Sequence, residues 1–264
     1  MLPSPLLEVS NLQVSYHIRT KSVKALRGIN FSLFENEILA FTGESGSGKT
    51  TAALACCGLL PANAHLKGSV RFKGVDLYSV SVKKLHQLRG KGIAFIFQDP
   101  QSALNPVLTA GKQVAEVLHR HRGLRGQILM QETRKLFRQV GLKHSHITSY
   151  PFALSGGECQ RIMIAAACAG NPALLIADEP TSNLDLIVEN EVLALLEKLQ
   201  KGYRFSLLLI SHDLRVIARL AQRVAIFNSG LIVEEGTVEQ VFKSPRHPYA
   251  KRLLATVLHK GAGE

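Results

Sequence analysis

Residues 43–50, Gly-Glu-Ser-Gly-Ser-Gly-Lys-Thr, constrain the fold of this chain more than any other stretch. They match the pattern G-x-x-x-x-G-K-[ST], and the apolar run 38–42 before them predicts a buried strand. The residues after them, 51–55, predict the start of a helix. In such a loop the backbone N–H groups curl inward, and the helix N-terminus adds partial positive charge. The motif therefore predicts an α/β fold that binds a nucleoside triphosphate.

Two side chains of this phosphate-binding loop have separate expected roles. Lys49 is expected to reach the β- and γ-phosphates, and the Thr50 hydroxyl to bind Mg²⁺. The other residues contribute backbone N–H groups that face phosphate oxygens. The predicted nucleotide-binding residues of the loop are Gly43, Glu44, Ser45, Gly46, Ser47, Gly48, Lys49, Thr50 and Thr51.

The composition favours a globular protein without a membrane span. Charged residues make up only 20% of the chain, against 46% hydrophobic, which excludes a disordered chain. No apolar run reaches the roughly 18 residues that a transmembrane helix needs. Residues 1–5 lack the basic segment and apolar core of a signal peptide, so we expect the protein to stay in the cytosol. The cysteines form no C-x-x-C pair and are expected to be reduced and mostly buried: Cys56, Cys57, Cys159 and Cys168.

The net charge of +12 fits either nucleic acid or an anionic membrane face, and does not choose between them. The densest basic cluster, residues 119–125, has no aromatic residue for base stacking, so we expect a solvated helix end. The pairs His119/His121 and His144/His146 likewise predict a solvated surface, and no metal ligand is predicted beyond those for Mg²⁺.

Hydrophobic patterning predicts two kinds of sheet. Short alternating runs in the first 35 residues, such as 29–33, indicate antiparallel strands. After them, Asn36 is expected to adopt the left-handed backbone of a turn. The fully apolar runs 174–177 and 207–210, with an amphipathic helix at 187–199 between them, indicate a parallel sheet covered on both faces. Helical periodicity runs from about residue 111 to 170. We therefore predict a nucleotide-binding α/β core at 1–98 and 173–232 with an N-terminal antiparallel layer, an inserted helical subdomain at 99–172, and a short helical C-terminal tail at 233–264.

Polar side chains that suit catalysis follow three of the apolar runs. Asp178 and Glu179 follow the first of the two strands; Asp178 is placed to hold Mg²⁺ and Glu179 to polarise the attacking water. His212 follows the second and can donate a hydrogen bond to the γ-phosphate. Gln98 follows a third run, 93–97, and its amide can contact Mg²⁺ or the water. The predicted catalytic residues are Glu179, His212, Gln98 and Lys49, and the predicted magnesium ligands are Thr50, Gln98 and Asp178.

A second turn that can bind phosphate lies at Leu154-Ser155-Gly156-Gly157-Glu158, before a helix predicted to begin near Cys159. A single nucleotide needs only one phosphate-binding loop. A second anion-binding turn therefore indicates a site shared between two copies, and we add four residues to the nucleotide-binding set: Ser155, Gly156, Gly157 and Glu158.

In this order, the motifs resemble those of the ATP-binding subunit of ABC transporters, over roughly residues 6–258. The resemblance makes Tyr16 the adenine-stacking aromatic, Gln98 the Q-loop, and His212 the switch histidine. Residues 154–158 become the signature and 182–185 the D-loop, with Asp185 in the nucleotide site. It implies a P-loop NTPase fold, the ABC nucleotide-binding domain, with an antiparallel β layer and an inserted helical subdomain. It also implies ATP and Mg²⁺ as cofactors and a head-to-tail dimer, with ATP between the loop of one copy and the 155–157 turn of the other.

Residues 98–106 and 244–249 resemble the oligopeptide/dipeptide/nickel permease group. That resemblance implies an ATPase that energises an importer of peptides, nickel or a metal chelate. The implied partners are two integral-membrane permease subunits, a second ABC ATPase that is homologous or identical, and, indirectly, an extracytoplasmic solute-binding protein, with no nucleic acid. The implied location is peripheral, at the cytoplasmic face of the inner (plasma) membrane.

The sequence departs from the pattern of the group at three places. Many peptide-importing members continue into a cysteine-bearing extension, whereas here no Cys follows Cys168, which modestly favours nickel or metal-chelate cargo. Glu158 and Cys159 stand where Met or Gln is commoner, and Asn183 replaces a small residue of the D-loop. An exporter ATPase is disfavoured because no membrane span is fused to the cassette. The alternative from another class is a soluble ABC-type ATPase acting on nucleic acid or the ribosome, which would usually carry a second cassette, a long coiled coil or a zinc module.

Overall fold

The computed structural model describes residues 4–18 and 21–258. Residues 1–3 and 259–264, which include the end of the predicted C-terminal tail, lie outside this part. The chain divides into two compact units, Met1–Ser81 with Ser206–Glu264, and Val82–Phe205. In chain order the elements are β1 (Leu7–Ile18), β2 (Lys21–Leu33), β3 (Ile38–Thr42), α1 (Lys49–Cys56), β4 (Ala64–Phe72), β5 (Val75–Asp76), α2 (Val82–Leu88), β6 (Ile93–Ile96), α3 (Pro100–Ala103), α4 (Ala110–Arg122), α5 (Gly126–Gln139), 3₁₀ turns at His144–Thr148 and Pro151–Ala153, α6 (Gly156–Ala169), β7 (Leu174–Asp178), α7 (Leu186–Tyr203), β8 (Ser206–Ile210), α8 (Leu214–Leu220), β9 (Arg223–Asn228), β10 (Leu231–Thr237), α9 (Val238–Lys243) and α10 (Pro248–Leu258).

The first unit contains the predicted antiparallel layer. Its strands follow the order β2-β1-β4-β5, and all neighbours are antiparallel. β1 and β2 pair from Leu7 opposite Leu33 to Ile18 opposite Lys21. The short alternating runs in the first 35 residues therefore predicted β1 and β2 correctly, whereas β4 and β5 lie beyond these runs and were not predicted.

A second group of strands in the same unit carries the phosphate-binding loop. β3 lies between β8 and β9 and is parallel to both, with Ala40 opposite Leu209 and Val224. Every residue of β3 and β8 is buried, as expected for parallel strands covered on both faces. Asn36, in the turn before β3, has the predicted left-handed backbone, with φ of +60°.

The strands β9 and β10 were not predicted from the sequence. They pair antiparallel, with a register shift between Ile232 and Glu234, and β10 is only partly buried. An irregular, half-exposed strand lacks a clean alternation of apolar and polar residues, which explains why the pattern missed it. The predicted start of the tail, residue 233, falls inside β10.

Three phenylalanine rings hold the antiparallel layer against β3. The ring centroids of Phe31 and Phe41 are 5.0 Å apart at an edge-to-face angle of 88°, and those of Phe41 and Phe227 are 4.6 Å apart. Edge-to-face and tilted pairs at these distances are favourable beyond the area they bury. The strand that enters the phosphate-binding loop is thus fixed by packing immediately before the loop begins.

The second unit combines the parallel pair β6 and β7 with most of the helices. Ile96 of β6 lies opposite Ala177 of β7, which brings the carboxyl ends of these strands together. Of the apolar positions that the helical periodicity selects, Val114, Leu118, Leu136 and Val140 are buried and Val117 is half-buried. Of the helices in residues 4–18 and 21–258, none is long and apolar enough to cross a membrane.

Candidate functional site

The phosphate-binding loop joins β3 to α1 and depends on glycine at its first position. Gly43 has φ of +140°, and a Cβ atom there would lie 2.2 Å from the backbone oxygen of Phe227. Gly48 is the N-cap of α1 with φ of 108°, and no side chain caps this helix. A helix N-terminus without a side-chain cap leaves its first N–H groups for a ligand, solvent or the loop itself.

Lys49 is the cation of this loop and is only 6% exposed. Its Nζ donates hydrogen bonds to the carbonyl oxygens of Gly43 and Glu44, both at 2.8 Å, and to Ser47 Oγ at 3.4 Å. A Cβ atom at Gly46 would meet no heavy atom within 4 Å, so the loop has open space on that side. The loop is therefore already curled around a buried ammonium group, the kind of donor that phosphate oxygens require.

Two further predicted residues of the first unit lie at the ends of its elements. The Tyr16 hydroxyl is 3.2 Å from Thr51 Oγ1, which places this aromatic side chain beside the first turn of α1. His212 follows β8 and is exposed. The next residue, Asp213, caps α8 by accepting the Arg215 N–H at 2.8 Å, and its hydrogen bonds with the Arg215 side chain lower its pKa.

In the second unit, Gln98 and Glu179 are in direct contact. The Gln98 amide donates from Nε2 to Glu179 Oε2 at 3.1 Å. Asp178, the last residue of β7, is 5% exposed, and Glu179 after it has φ of +46°. A positive φ strains the backbone of a residue other than glycine, and such strain concentrates at functional sites. Of Gln98, Asp178 and Glu179, only Glu179 has this strain.

The turn at 154–158 begins α6, and here the predicted helix start was wrong. α6 begins at Gly156, not near Cys159, because Ser155 and Glu158 form a capping box. The Glu158 N–H donates to Ser155 Oγ at 3.3 Å, while Glu158 Oε2 accepts from the Ser155 N–H at 2.9 Å and the Ser155 hydroxyl at 3.0 Å. The hydrogen bonds from Ser155 hold the pKa of Glu158 below its usual value, and the bond from the Ser155 N–H has the largest effect.

The paired histidines are not the uniformly solvated surface that the sequence predicted. His119 and His144 are exposed, whereas His121 and His146 are half-buried. Burial, together with Arg120 and Lys91, lowers the pKa of His121. His146 Nε2 lies 3.4 Å from Glu158 Oε1, the carboxylate oxygen that does not bind Ser155. The H-x-H pattern did not reveal these contacts, because Lys91 and Glu158 lie outside the two histidine pairs and only the fold brings them close.

The chain as a whole is similar in sequence to known proteins. The sequence profile described as "ABC transporter" matches residues 26–182. The chain is 43% identical to the oligopeptide transport ATP-binding protein OppD of Bacillus subtilis, over 96% of this chain and 72% of that protein. It is 41% identical to the dipeptide transport ATP-binding protein DppD of Lactococcus lactis, over 96% of this chain and 74% of that one. The chain belongs to the ABC transporter family.

A solved ABC cassette supports the same assignment in three dimensions. The dimeric structure of a post-hydrolysis state of the ATP-binding cassette MJ0796, bound to ADP and Pi, superposes with a TM-score of 0.79 at 28% identity. It covers 88% of this chain and 98% of the cassette. The predicted family and fold class are confirmed: the protein is an ABC ATPase, an α/β ATP-binding cassette with an antiparallel sheet and a helical subdomain.

The side chains predicted to bind magnesium in this ABC cassette suit that ion chemically. Thr50, Gln98 and Asp178 offer hydroxyl, amide and carboxylate oxygens, the hard ligands that Mg²⁺ prefers. Asp178 is 5% exposed, and buried charges in proteins are either paired or coordinate metals. In residues 4–18 and 21–258, no group of three or more His, Cys, Asp or Glu side chains is placed to hold a metal ion by itself.

The D-loop of the cassette borders a cavity within the second unit. Asp185 caps α7 by accepting the N–H groups of Ile187 at 3.1 Å and Val188 at 3.0 Å, so its carboxylate has a structural role. The cavity measures about 290 Å³, and Gln98, Gln160, Ser182 and Asn183 are among its lining residues. Asn183, the departure from the family pattern, is thus an exposed residue on the wall of this cavity.

One residue of the site was missed as a functional residue by the sequence analysis. Tyr249 served only as a family marker, but its hydroxyl accepts the N–H of Glu44, inside the phosphate-binding loop, at 3.1 Å. Tyr249 is 5% exposed, and a buried tyrosine hydroxyl usually has a hydrogen-bond partner. This general rule indicates that the Tyr249 hydroxyl has a partner, but nothing in the sequence says that the partner is Glu44.

Proposed function

We propose that this ABC ATPase energises a binding-protein-dependent importer and that peptides are its cargo. The observation that carries the proposal is the 43% identity, over 96% of the chain, to a protein named for oligopeptide transport. Another relative, 42% identical, is named a putative peptide import ATP-binding protein, from Brucella abortus. Nickel or metal-chelate cargo, which the sequence modestly favoured, stays a prediction.

The proposed site uses the residues that the motifs selected. Lys49 and backbone N–H groups from within residues 43–51 bind the phosphates, and Tyr16 stacks on adenine. Thr50, Gln98 and Asp178 hold Mg²⁺, which would neutralise phosphate charge when bound. Glu179 orients and polarises the attacking water, His212 donates to the γ-phosphate, and Gln98 contacts Glu179, as it does in this structure at 3.1 Å.

The proposed assembly is a head-to-tail ATPase dimer with two membrane permease subunits. Each ATP lies between the phosphate-binding loop of one ATPase and residues 155–158 of the other, with Asp185 nearby. A second phosphate-capable helix N-terminus, at α6, supports this arrangement. The inserted helical subdomain links the ATPase to the permeases. It is proposed to span 99–172, between the core segments 1–98 and 173–232, with the tail at 233–264. The protein would then be peripheral, at the cytoplasmic face of the inner membrane.

Purification of the chain from detergent-solubilised source membranes tests this proposal. The expected result is co-elution of two multi-spanning proteins and of a second ATPase or a second copy of this one. A binding protein encoded beside them then allows peptides and nickel to be compared as cargo. Recovery only from the soluble fraction, bound to ribosomes or nucleic acid, would refute the importer proposal in favour of the alternative function.

A further inference from the structure

A single peptide unit in the phosphate-binding loop is held at both ends. The unit that joins Gly43 to Glu44 has its carbonyl oxygen bonded to Lys49 Nζ at 2.8 Å. Its N–H, which belongs to Glu44, donates to the Tyr249 hydroxyl at 3.1 Å. Tyr249 lies 205 residues further along the chain, at the start of α10. The C-terminal segment thus reaches the loop that binds the nucleotide.

Packing and hydrogen bonds fix the position of Tyr249. Its ring lies in a buried cluster with Ala40 of β3, Ile217 of α8 and Val224 of β9. Its own N–H donates to His247 Nδ1 at 3.1 Å. The backbone before it is anchored to β10, because the Glu234 carboxylate accepts the N–H groups of Arg246 and His247, each at 2.8 Å. The hydroxyl is therefore presented to the loop by a rigid support.

We infer that Tyr249 is a positioning residue of the nucleotide site, which fixes the Gly43–Glu44 peptide plane so that the loop stays open for ATP phosphates. The plane is the one that needs such support. Gly43, at φ of +140°, has no side chain to restrict it. The three N–H donors of Lys49 face Gly43, Glu44 and Ser47, so a phosphate oxygen must displace at least one of these bonds. Where the displaced bond is the one to Gly43, the Tyr249 hydroxyl keeps the same peptide unit from rotating.

The inference rests on ATP binding at this loop and deepens the proposed site. Replacement of Tyr249 by Phe removes only the hydroxyl and leaves the buried ring in place. We expect ATP to bind roughly fivefold more weakly to Tyr249→Phe, the size expected when one hydrogen bond to a backbone N–H is lost. The KM for ATP should rise by the same factor while kcat is unchanged, because the hydroxyl acts on the loop before chemistry begins.

Tyr78→Phe is the matched control. The Tyr78 hydroxyl donates to the carbonyl oxygen of Ala55, near the other end of α1, at 2.9 Å. It supports the same helix without touching the loop, so this variant should bind ATP like the parent. The thermal midpoint of each variant, measured without nucleotide, separates a change in binding from a change in folding.

Equilibrium titration of ATP into the purified full-length parent and the two variants tests whether Tyr249 positions the loop. Weaker binding in Tyr249→Phe alone, with parent-like melting, supports the positioning role. Parent-like affinity in Tyr249→Phe, or equal weakening in Tyr78→Phe, would overturn it while leaving the proposed function standing. If the parent itself binds no ATP, the assignment of the loop fails and this inference fails with it.

Discussion

The phosphate-binding loop and the signature turn (residues 154–158) each lie at the N-terminus of a helix, but the two helices begin differently. α1 begins after Gly48 and has no side-chain cap. α6 begins after Ser155, whose hydroxyl and N–H are already bonded to Glu158. In the loop, the Glu44 N–H is bonded to Tyr249 and the Ser47 N–H to the Glu44 carbonyl, but no side chain caps the first turn of α1. In the turn, the side chains of Ser155 and Glu158 cap α6.

This difference suggests different tasks for the two turns. The loop holds a buried cation, Lys49, and is proposed to bind phosphate in a single chain. In the turn, the carboxylate of Glu158 stands beside the Ser155 hydroxyl, and a phosphate would compete with it for the same donor. His146, 3.4 Å from the other carboxylate oxygen, offsets part of that negative charge. We therefore expect the loop to bind ATP first and the turn to engage only when two copies meet.

The largest expected effect of a single substitution is that of Gly43→Ala. Gly43→Ala should lower the free energy of unfolding by about 3 kcal/mol, because the new Cβ meets a backbone oxygen and φ is +140°. Gly157→Ala should cost only about 1 kcal/mol, since its Cβ meets Val188 Cγ1, at 2.6 Å, and a side chain can rotate. Urea unfolding of both variants measures this. Equal losses would mean that the loop is no more constrained than the turn.

Lys49→Ala should weaken ATP binding by the single chain about 100-fold, because a buried charge-assisted donor is lost. Lys67→Ala, which removes an exposed lysine from β4, is the control for net charge. Isothermal titration of ATP into both variants gives the two affinities. An unchanged affinity in Lys49→Ala would show that the loop does not hold the phosphates.

Ser155→Ala should leave ATP binding by the single chain intact but raise the ATP concentration needed for dimer formation roughly tenfold. The measurement uses light scattering in a Glu179→Gln background, which we expect to bind ATP without turning it over. Thr237→Ala is the control, because Thr237 forms the same kind of capping box at α9. Both substitutions should cost about 1 kcal/mol of stability. Weaker ATP binding by the Ser155→Ala monomer would contradict the division of tasks.

The smallest expected effect is the pH dependence of the capping box. The pKa of Glu158 is lowered in the folded state, so its stabilisation is present above the unfolded value of 4.5 and is lost as the pH falls through the folded value. Glu158→Gln should therefore differ from the parent by about 0.5 kcal/mol at neutral pH and converge with it in acid. Exposed Glu35→Gln is the control, and thermal unfolding from neutral to acidic pH is the measurement. A difference that does not change with pH would remove the charge from the explanation.

Much of the fold followed from local patterns. The buried strands β3, β7 and β8 were predicted from short, fully apolar runs, and Asn36 from its preference for turns. The start of α6 at Gly156 was also encoded locally, because Ser155-Gly-Gly-Glu158 fits the capping-box pattern. The predicted start near Cys159 did not take this pattern into account. β10 could not be found in this way, since its residues are half-exposed and its register is interrupted.

The sequence by itself predicted a phosphate-binding loop and determined the order of the motifs, because a glycine-rich loop between a strand and a helix is specified by neighbours along the chain. Only the tertiary structure decided which residues support that loop and the turn. Tyr249 reaches Glu44 across 205 positions, and the His146 ring reaches the Glu158 carboxylate from a separate 3₁₀ turn. Contacts of this kind depend on how buried elements pack, and no local pattern of residues encodes that packing.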